Sequence, residues 1–499
     1  MPDRQKTVTT GRTAPLVWSL VIALSARLLV SLALPGPLRP DEIYQYLEPA
    51  YRLVTGYGVV TWDWHEGIRS WLVPGGIAGL FRISHTLGPG FSIAFVRTIF
   101  AILSLPLVIL FVQAGWRQAG RQGAWLFGLA GALWPDLVSA GFRTLGECLG
   151  GNMLAAGTIA GMIALDRQRK GEPRRATFLL LLLCGFSLGS AAAVRFQFAP
   201  AVLFGCAFLF LKGGWRALLP VSISLVPPIA ALGIVDALTL GYPFQSVFHN
   251  YHMNASMGVA NTFGRQSILY FPAKYSGLWG AATIAILLLC IRGAKYATFP
   301  LSMTLVIVGY HSCIAHKEMS FIYPAIPLFI LTAAAGLTHF VTGEETTRRW
   351  FPKAVILEAA CCGLVFASTY LPLLTQKSIP LLMEKRAVAQ PDFCGLALSD
   401  PPEDWAHFGG YSILPPGRPF YVFTTPAQME QNRGAYSHVL AGSDFDLVHS
   451  DARKISCSRD DSICLYRVAT SCDKTPDFNQ FSGAAAQIEQ YRLTPGHGS

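Results

Sequence analysis

The sequence has few charged residues, and this deficit excludes most soluble folds. Only 14% of the 499 residues are Asp, Glu, Lys or Arg, whereas 52% are hydrophobic. Soluble domains usually carry about 25% charged residues. The composition therefore predicts that lipid is the main solvent of this chain, which we expect to fold as repeated membrane spans with one polar end.

Several sequence motifs are also absent. The chain has no Walker loop and no Gly-x-Gly-x-x-Gly fingerprint, which argues against nucleotide-driven transport. Its Gly-x-Ser-x-Gly match at 185–189 lies inside the apolar stretch 176–193 and not at a strand-to-helix turn, so it does not indicate serine hydrolysis. It has no Cys-x-x-Cys pair, so a zinc site is disfavoured. No compact acidic motif calls for a divalent metal. We expect neither a metal nor a cofactor.

A net charge of +10 raises the question of nucleic-acid binding. Such binding needs a clustered basic face, but here Lys and Arg occur in short tracts between apolar stretches. These are Arg4 to Arg12, Arg117 with Arg121, Arg167 to Arg175, Lys212 with Arg216, Arg292 with Lys295, and Arg348 to Lys353. With a cytoplasmic N-terminus, every tract falls on the cytoplasmic side, as the positive-inside rule requires. We expect no nucleic-acid partner.

Apolar stretches predict an all-α polytopic membrane protein with about eleven spans, since each span needs about 20 mainly apolar residues. The predicted spans are 14–34, 91–113, 122–138, 146–165, 176–193, 198–212, 217–237, 277–292, 297–314, 321–340 and 353–373. Residues 1–373 then form a membrane domain. Its long outward loops are 35–90 and 238–276, and 374–499 form a small mixed outward domain.

The first outward loop is predicted to hold amphipathic helices on the membrane surface. Pro40 suits a helix start and Gly56 suits its end. Asp41 and Glu42 lie there, close to the first span. One interpretation is helix capping, because acids complement the dipole at an N-terminus. We favour a catalytic carboxylate, whose pKa a neighbouring acid or burial would raise toward that of a useful base.

The predicted topology collects further unusual polar residues at the outward face. Cations there can hold a phosphate by charge-assisted hydrogen bonds, although His316 and Lys317 have the alternative role of lipid anchors. Arg143 and Glu147 have the i,i+4 spacing of a structural ion pair. Tryptophans at this face either anchor the chain in the interface or stack on a sugar. The substrate-binding candidates are His316, Lys317, Arg143, Arg195, Arg69, Glu147, Trp62 and Trp64.

Four of the eleven cysteines lie in the polar C-terminal part of the chain: Cys394, Cys457, Cys464 and Cys472. If this part faces an oxidising compartment, two disulfides are expected, with three pairings open. The other seven lie in or beside apolar stretches and are expected to be inert thiols.

These residues together resemble glycosyltransferase family 22, the polyprenyl-phosphate-mannose-dependent mannosyltransferases. The resemblance covers about residues 14–340 in the correct order. Its matching stretches are 39–45 (RPDEIYQ), 48–58, 61–64 with 68–70, 143–145 with 147, 194–195, 236–242 with 248–254, 263–264, and 316–318 (HKE) with 321–324 (FIYP). It implies a GT-C fold and an inverting transferase that uses no nucleotide sugar. By the same resemblance Asp41 is the base, with Glu42 as its partner.

The function expected from this resemblance is transfer of a hexose, in first place mannose, from a polyprenyl-phosphate carrier to a glycan or glycolipid acceptor. The compact loops and divergent tail favour a bacterial inner-membrane protein with a periplasmic C-terminus. Two alternatives stay open: a related GT-C transferase of another sugar, such as aminoarabinose, and a flippase or transporter for lipid-linked sugars. A transporter is expected to place its polar site near the bilayer midplane.

Overall fold

The computed structural model describes residues 3–88, 90–342, 349–399, 405–445 and 451–493. Two compact units account for the chain. The bundle unit comprises Met1–Ser31, Arg97–Val235 and Arg265–Pro372. The loop unit comprises Leu32–Val96, Asp236–Gly264 and Leu373–Ser499. The loop unit thus gathers most of the three long segments that the sequence predicts to face outward.

The protein is a multi-pass membrane protein with eight described helical stretches that are long and apolar enough to span a bilayer. These are Thr13–Ala33, Ile93–Leu133, Gly146–Arg169, Arg174–Val194, Phe196–Gly213, Trp215–Thr239, Ala325–Thr342 and Phe351–Val388. A ninth is the pair Tyr270–Trp279 and Ala282–Gly293, bent by 113°. Shorter helical segments are Glu42–Leu47, Glu48–Thr55, Trp62–His65, Leu72–Leu87, Pro135–Ala140, Gln245–Tyr251, His252–Ser256, Val259–Phe263, Thr298–Cys313, Met319–Ile322, Trp405–His407, Tyr411–Ile413, Pro426–Gln431 and Gln480–Leu493.

The predicted count of about eleven spans is larger than the count in the described structure for two reasons. Helix Thr298–Cys313 has only 16 residues. The stretch Ile93–Leu133 contains two predicted spans, and its backbone leaves the helical conformation at Ala119 and Gly120. A Cβ placed on Gly115 would come within 2.2 Å of the Gly123 carbonyl oxygen, although eight residues of continuous helix would separate them by about 12 Å. The stretch therefore turns back on itself, and glycine allows the close approach.

Predicted cytoplasmic connections meet at one end of the bundle unit. Arg117, next to the turn at 119–120, forms an ion pair with Asp166 in which Nη2 and Oδ2 are 2.6 Å apart. Gln168 donates a hydrogen bond to the Gly213 carbonyl oxygen over 3.0 Å. Three basic tracts from different parts of the chain thus share one end of the helices, which is the arrangement that the charge pattern predicts.

The C-terminal part contains a five-stranded mixed sheet, as the predicted mixed domain requires. Its strands are β1 Leu396–Ser399, β2 Phe420–Phe423, β3 His438–Ala441, β4 Ala452–Cys457 and β5 Cys464–Val468. The order is β2-β1-β3-β5-β4. β1 is parallel to both β2 and β3, while β5 is antiparallel to β3 and β4. The aromatic side chains of Tyr421, Tyr436 and Tyr466 belong to its buried core.

Two disulfides join the four C-terminal cysteines, and the structure selects one of the three pairings that the sequence leaves open. Cys394 pairs with Cys472, and Cys457 pairs with Cys464. The second disulfide closes the β4–β5 hairpin across seven residues, whereas the first spans 78 residues.

Candidate active site

The first loop begins with a rare type of turn. Residues Glu42–Leu47 form a π-helix, which continues as the α-helix Glu48–Thr55. Gly56 ends this helix with φ of 86°, a left-handed conformation that favours glycine, so the predicted helix end is confirmed. Single π turns are frequent at functional sites, and Asp41 stands at the start of this one.

The two adjacent acids of this turn have different surroundings. Glu42 is fully buried, and its Oε2 accepts a hydrogen bond from the Leu38 N–H over 3.3 Å. Asp41 is only half-buried. Glu42 therefore stabilises the backbone that leads into the turn, and Asp41 keeps access to molecules outside the fold. Their predicted roles as partner and base stay predictions.

An ion pair lies beside Asp41. Arg69 Nε is 2.8 Å from Asp63 Oδ2, and Thr61 Oγ1 donates to Asp63 Oδ1 over 2.5 Å. Burial alone would lower the pKa of Arg69, but the negative charges of Asp63 and Asp41 raise it. Arg69 is thus within electrostatic reach of both acids. Asp63 is a further candidate site residue that was not predicted from the sequence, although its position between Trp62 and Trp64 was a usable signal.

The predicted tryptophans contact neighbouring elements of the loop unit. The Trp64 indole N–H donates to the Tyr44 carbonyl oxygen over 3.2 Å, and its ring centroid is 4.4 Å from that of Trp71. Trp62 stacks on Phe263 with ring centroids 6.4 Å apart. Trp64 therefore has a packing role, and the half-buried Trp62 belongs to an aromatic pair.

The second outward segment packs on the first. Asn250 Nδ2 donates to the Ile68 carbonyl oxygen over 3.4 Å. His249 Nδ1 lies 3.1 Å from the Glu66 carbonyl oxygen. These bonds join helix Gln245–Tyr251 to the chain that carries Arg69.

A third segment, residues 405–412, fastens onto the first loop, and we call it the strap. The Tyr44 hydroxyl donates to the Phe408 carbonyl oxygen over 3.0 Å. The fully buried Glu48 accepts from the Ser412 N–H at Oε1 over 2.7 Å and from the Val59 N–H at Oε2 over 2.9 Å. Burial raises the pKa of Glu48 despite these bonds.

Glu384 adds a further bond to the strap. Its Oε1 accepts from the Gly409 N–H over 2.8 Å. The strap is thus bound to helices from both ends of the chain. The strap could not be predicted from the sequence, because single residues give no indication of a partner hundreds of positions away.

The bundle unit holds the other predicted charges. Glu147, at the start of helix Gly146–Arg169, forms an ion pair with Arg195, which directly follows helix Arg174–Val194. This partner, 48 residues away, is not the i,i+4 pairing considered from the sequence. Glu147 is only 1% exposed, so the pair joins two helix ends inside the protein.

Two buried arginines share one aromatic ring. The Arg143 guanidinium lies 4.6 Å from the Phe142 ring centroid, and that of Arg97 lies 5.9 Å from it. Arg143 Nε also donates to the Ser139 carbonyl oxygen over 3.0 Å. Positive charge is therefore concentrated around Phe142, as an anion-binding role for Arg143 requires.

Lys317 is buried rather than placed as an interfacial anchor. Its Nζ donates to the carbonyl oxygens of Gln266, over 2.9 Å, and Ile314, over 2.5 Å. Because an ammonium has three donors, these two bonds leave it capacity for another acceptor. His316 Nε2 is 3.5 Å from Glu318 Oε1.

The segment that carries Lys317 and His316 follows helix Thr298–Cys313. The end of this helix meets the chain after Arg195, because the Tyr310 hydroxyl donates to the Gln197 carbonyl oxygen over 3.0 Å. The structure thus brings Arg195, Glu147 and the end of helix Thr298–Cys313 to one end of the bundle unit.

The predicted site residues fall into two sets. Asp41, Glu42, Arg69, Trp62 and Trp64 lie in the loop unit, whereas Arg143, Glu147, Arg195, His316 and Lys317 lie in the bundle unit. Across the described ranges, no three His, Cys, Asp or Glu side chains are grouped to hold a metal ion.

Comparison with known proteins identifies the family. The sequence profile of the Alg9-like mannosyltransferase family matches residues 18–393. The chain belongs to this family. The match includes the first loop, the second outward segment and every predicted site residue, and it ends just before the sheet.

Relatives in this family include two named GPI mannosyltransferase 3. The protein of Yarrowia lipolytica is 27% identical over 346 residues, which are 68% of this chain and 65% of the relative. That of Drosophila melanogaster is 26% identical over 395 residues, which are 75% of this chain and 65% of the relative. The chain therefore matches just under two thirds of the length of each.

A solved structure shares the fold of this Alg9-like protein. ArnT from Cupriavidus metallidurans, crystallised with undecaprenyl phosphate, superposes with a TM-score of 0.60 over 93% of this chain and 99% of ArnT. The two are 14% identical. The superposition confirms the predicted GT-C fold.

Proposed function

We propose that the protein is an inverting membrane mannosyltransferase that moves mannose from a polyprenyl-phosphate carrier to a hydroxyl group of a glycan or glycolipid. The observation that carries this proposal is the half-buried Asp41, which starts the π-helix beside the Arg69–Asp63 ion pair. Family membership and the names of the relatives support the choice of mannose.

Asp41 acts as the general base in this proposal. As the acceptor oxygen attacks the anomeric carbon, Asp41 takes the hydroxyl proton and the bond to the lipid phosphate breaks. A single displacement of this kind inverts the anomeric centre. The Arg69 charge by itself would make Asp41 a weaker base, but Asp63 compensates part of that charge through its ion pair. Glu42 stabilises the start of this turn by accepting a hydrogen bond from the Leu38 N–H.

The leaving phosphate gains negative charge as the bond breaks, and fixed cations lower the barrier by stabilising that charge. Arg143, Lys317 and His316 are our candidates for this role. Arg195 is already compensated by Glu147, so we assign this pair to positioning. Trp62 is assigned to stacking on sugar or carrier. The donor is a co-substrate, and the proposal uses no metal and no nucleotide.

The charge pattern and the disulfides support the side of the membrane that we propose for the reaction. Basic tracts meet at one end of the bundle unit, which we assign to the cytoplasm with the N-terminus. Two disulfides lie in the C-terminal part, and disulfides persist in oxidising compartments. We therefore propose that the C-terminal part lies in an oxidising, non-cytoplasmic compartment, which we take to be the periplasm of a bacterium.

The test is mannose transfer by the purified protein from synthetic polyprenyl-phosphate-mannose to an acceptor extract. Asp41→Asn is expected to lower turnover by about 10²–10⁴-fold, the usual contribution of a general base, while binding of the carrier lipid is retained. Glu66→Gln, an exposed acid of the same loop, is the matched control and should keep wild-type turnover.

Full turnover in Asp41→Asn would exclude it as the base. If another lipid-phosphate sugar in a panel of donors is transferred faster than mannose, that sugar would replace mannose as the proposed donor sugar. Lipid translocation in vesicles without glycosidic bond formation would favour transport instead.

A further inference from the structure

A cavity of about 590 Å³ lies within the loop unit, outside the residues assigned to the reaction above. Its volume falls in the range of about 300–1,000 Å³ that is typical of small-molecule sites. Pro37 and Pro40, from the chain just before Asp41, form one wall. Phe408 of the strap and Gln376 of helix Leu371–Val388 form others.

The wall beside Asp41 is fixed to that helix. The Gly36 N–H donates to Ser378 Oγ over 2.9 Å, and Lys377 Nζ donates to the Leu38 carbonyl oxygen. A Cβ on Gly36 would lie 2.2 Å from the Lys377 carbonyl oxygen, so only glycine permits this approach. The chain that leads into Asp41 is therefore held against the cavity.

A further wall is the tip of the β4–β5 hairpin, which the Cys457–Cys464 disulfide closes. Asp460 and Ser462 line the cavity from this tip. Asp460 Oδ1 accepts hydrogen bonds from Ser458 Oγ over 2.6 Å and from Ser462 Oγ over 2.9 Å. These bonds hold the pKa of Asp460 below its ordinary value. Because all of its hydrogen bonds within the described ranges go to Oδ1, Oδ2 remains available as an acceptor.

The lining chemistry fits a neutral saccharide. A carboxylate, an amide and a hydroxyl can together accept from and donate to sugar hydroxyls, and Phe408 with the prolines supplies apolar surface. An ionised Asp460 would repel a phosphate, and the Lys377 ammonium of the lining, which donates to Leu38, offsets the charge of Asp460 so that these two groups together are neutral. The cavity therefore suits an uncharged sugar better than the head of the donor lipid.

We propose that this cavity binds the saccharide part of the acceptor and holds its hydroxyl groups on Asp460, Gln376 and Ser462, next to the segment that carries Asp41. The inference rests on the proposed function for the statement that the bound sugar is the acceptor. It assigns acceptor recognition to the C-terminal part, and the 457–464 disulfide loop determines which sugars fit.

The experiment measures binding of two probes to the purified full-length protein: octyl α-mannoside as a neutral saccharide and polyprenyl phosphate as the carrier. Ser462→Trp fills the cavity, and Ser471→Trp, at an exposed position outside it, is the matched control. We expect Ser462→Trp to weaken mannoside binding by about tenfold or more, with unchanged affinity for polyprenyl phosphate. The control should bind both probes normally.

Asp460→Asn is the second variant, because its amide oxygen can still accept from both serines while the free acceptor Oδ2 is lost. It should also weaken mannoside binding. If the variants bind polyprenyl phosphate more weakly but bind the mannoside normally, the cavity is a carrier site and the proposal is wrong. The proposal is also wrong if both variants bind both probes with wild-type affinity. If these variants lose mannoside binding but the wild type transfers no mannose, the saccharide site stands and the proposed function fails.

Discussion

Replacing Glu48 with alanine should release the strap (405–412) from the first loop. The substitution removes the acceptors of two buried N–H groups, those of Ser412 and Val59. Each buried donor left without a partner costs about 1–3 kcal/mol. Only the Ser412 N–H belongs to the strap, and water reaches it in the open state, so the closed state should lose about 1–3 kcal/mol relative to the open one. A loss of about 2 kcal/mol raises the opening constant about 30-fold.

Hydrogen exchange followed by mass spectrometry, on the protein in nanodiscs, measures this opening directly. Peptides containing Ser412 should exchange about 30-fold faster in Glu48→Ala, while peptides from helix Gly146–Arg169 should not change. Glu66→Ala, at an exposed site on the same loop, is the control. If exchange at Ser412 stays at the wild-type rate in Glu48→Ala, Glu48 does not fasten the strap and the reasoning is refuted.

Three further predictions follow from the same contacts. Burial raises the pKa of Glu48 above its ordinary 4.5, so closure of the strap should be strongest below pH 4.5 and should weaken as pH rises through the raised pKa. Glu48→Gln should abolish this pH dependence of hydrogen exchange at Ser412, after correction for intrinsic exchange rates. If the pH dependence is unchanged in Glu48→Gln, another titrating group causes it. Arg195→Ala leaves Glu147 buried without this partner and should lower the free energy of unfolding by about 3–5 kcal/mol. Adding Glu147→Gln to Arg195→Ala should restore part of this loss in denaturation curves. If the double variant is no more stable than Arg195→Ala, the pairing argument is wrong. Replacing both Cys457 and Cys464 with serine should cost about 2.5 kcal/mol by the loop-entropy relation, measured under non-reducing conditions, and equal stability would argue against the disulfide.

Much of the fold could be predicted from local patterns. Apolar runs located the membrane helices because each must cover about 30 Å of hydrocarbon by itself. Gly56 marked a helix end, since its left-handed backbone is a local property. Basic tracts predicted which connections share one end of the bundle unit. The span count differs where two spans are joined at Gly120, a tight turn that merges them into one continuous stretch.

Partners distant in the sequence could not be predicted in this way. The sequence shows that Glu147 is an unusual acid, but only the folded bundle shows that Arg195 neutralises it. The same holds for Glu48, whose spacing from Asp41 looks like ordinary helix surface although its side chain is fully buried. Three pairings of four cysteines are equally compatible with their spacing, and the sheet register decides between them. Residue type indicates chemistry, whereas the partner depends on packing.

The strap also has a consequence for the timing of synthesis. Tyr44 and Ser412 bracket about three quarters of the 499 residues, and the bond from Ser412 to Glu48 joins residues 364 positions apart. At about 5–20 residues per second, a ribosome needs roughly 20–70 s to make the intervening segment. During that interval the strap residues that later cover Glu48 have not yet been synthesised. A nascent chain therefore inserts its helices before this unit can close, and the proposed transfer reaction should begin only after the strap has been synthesised.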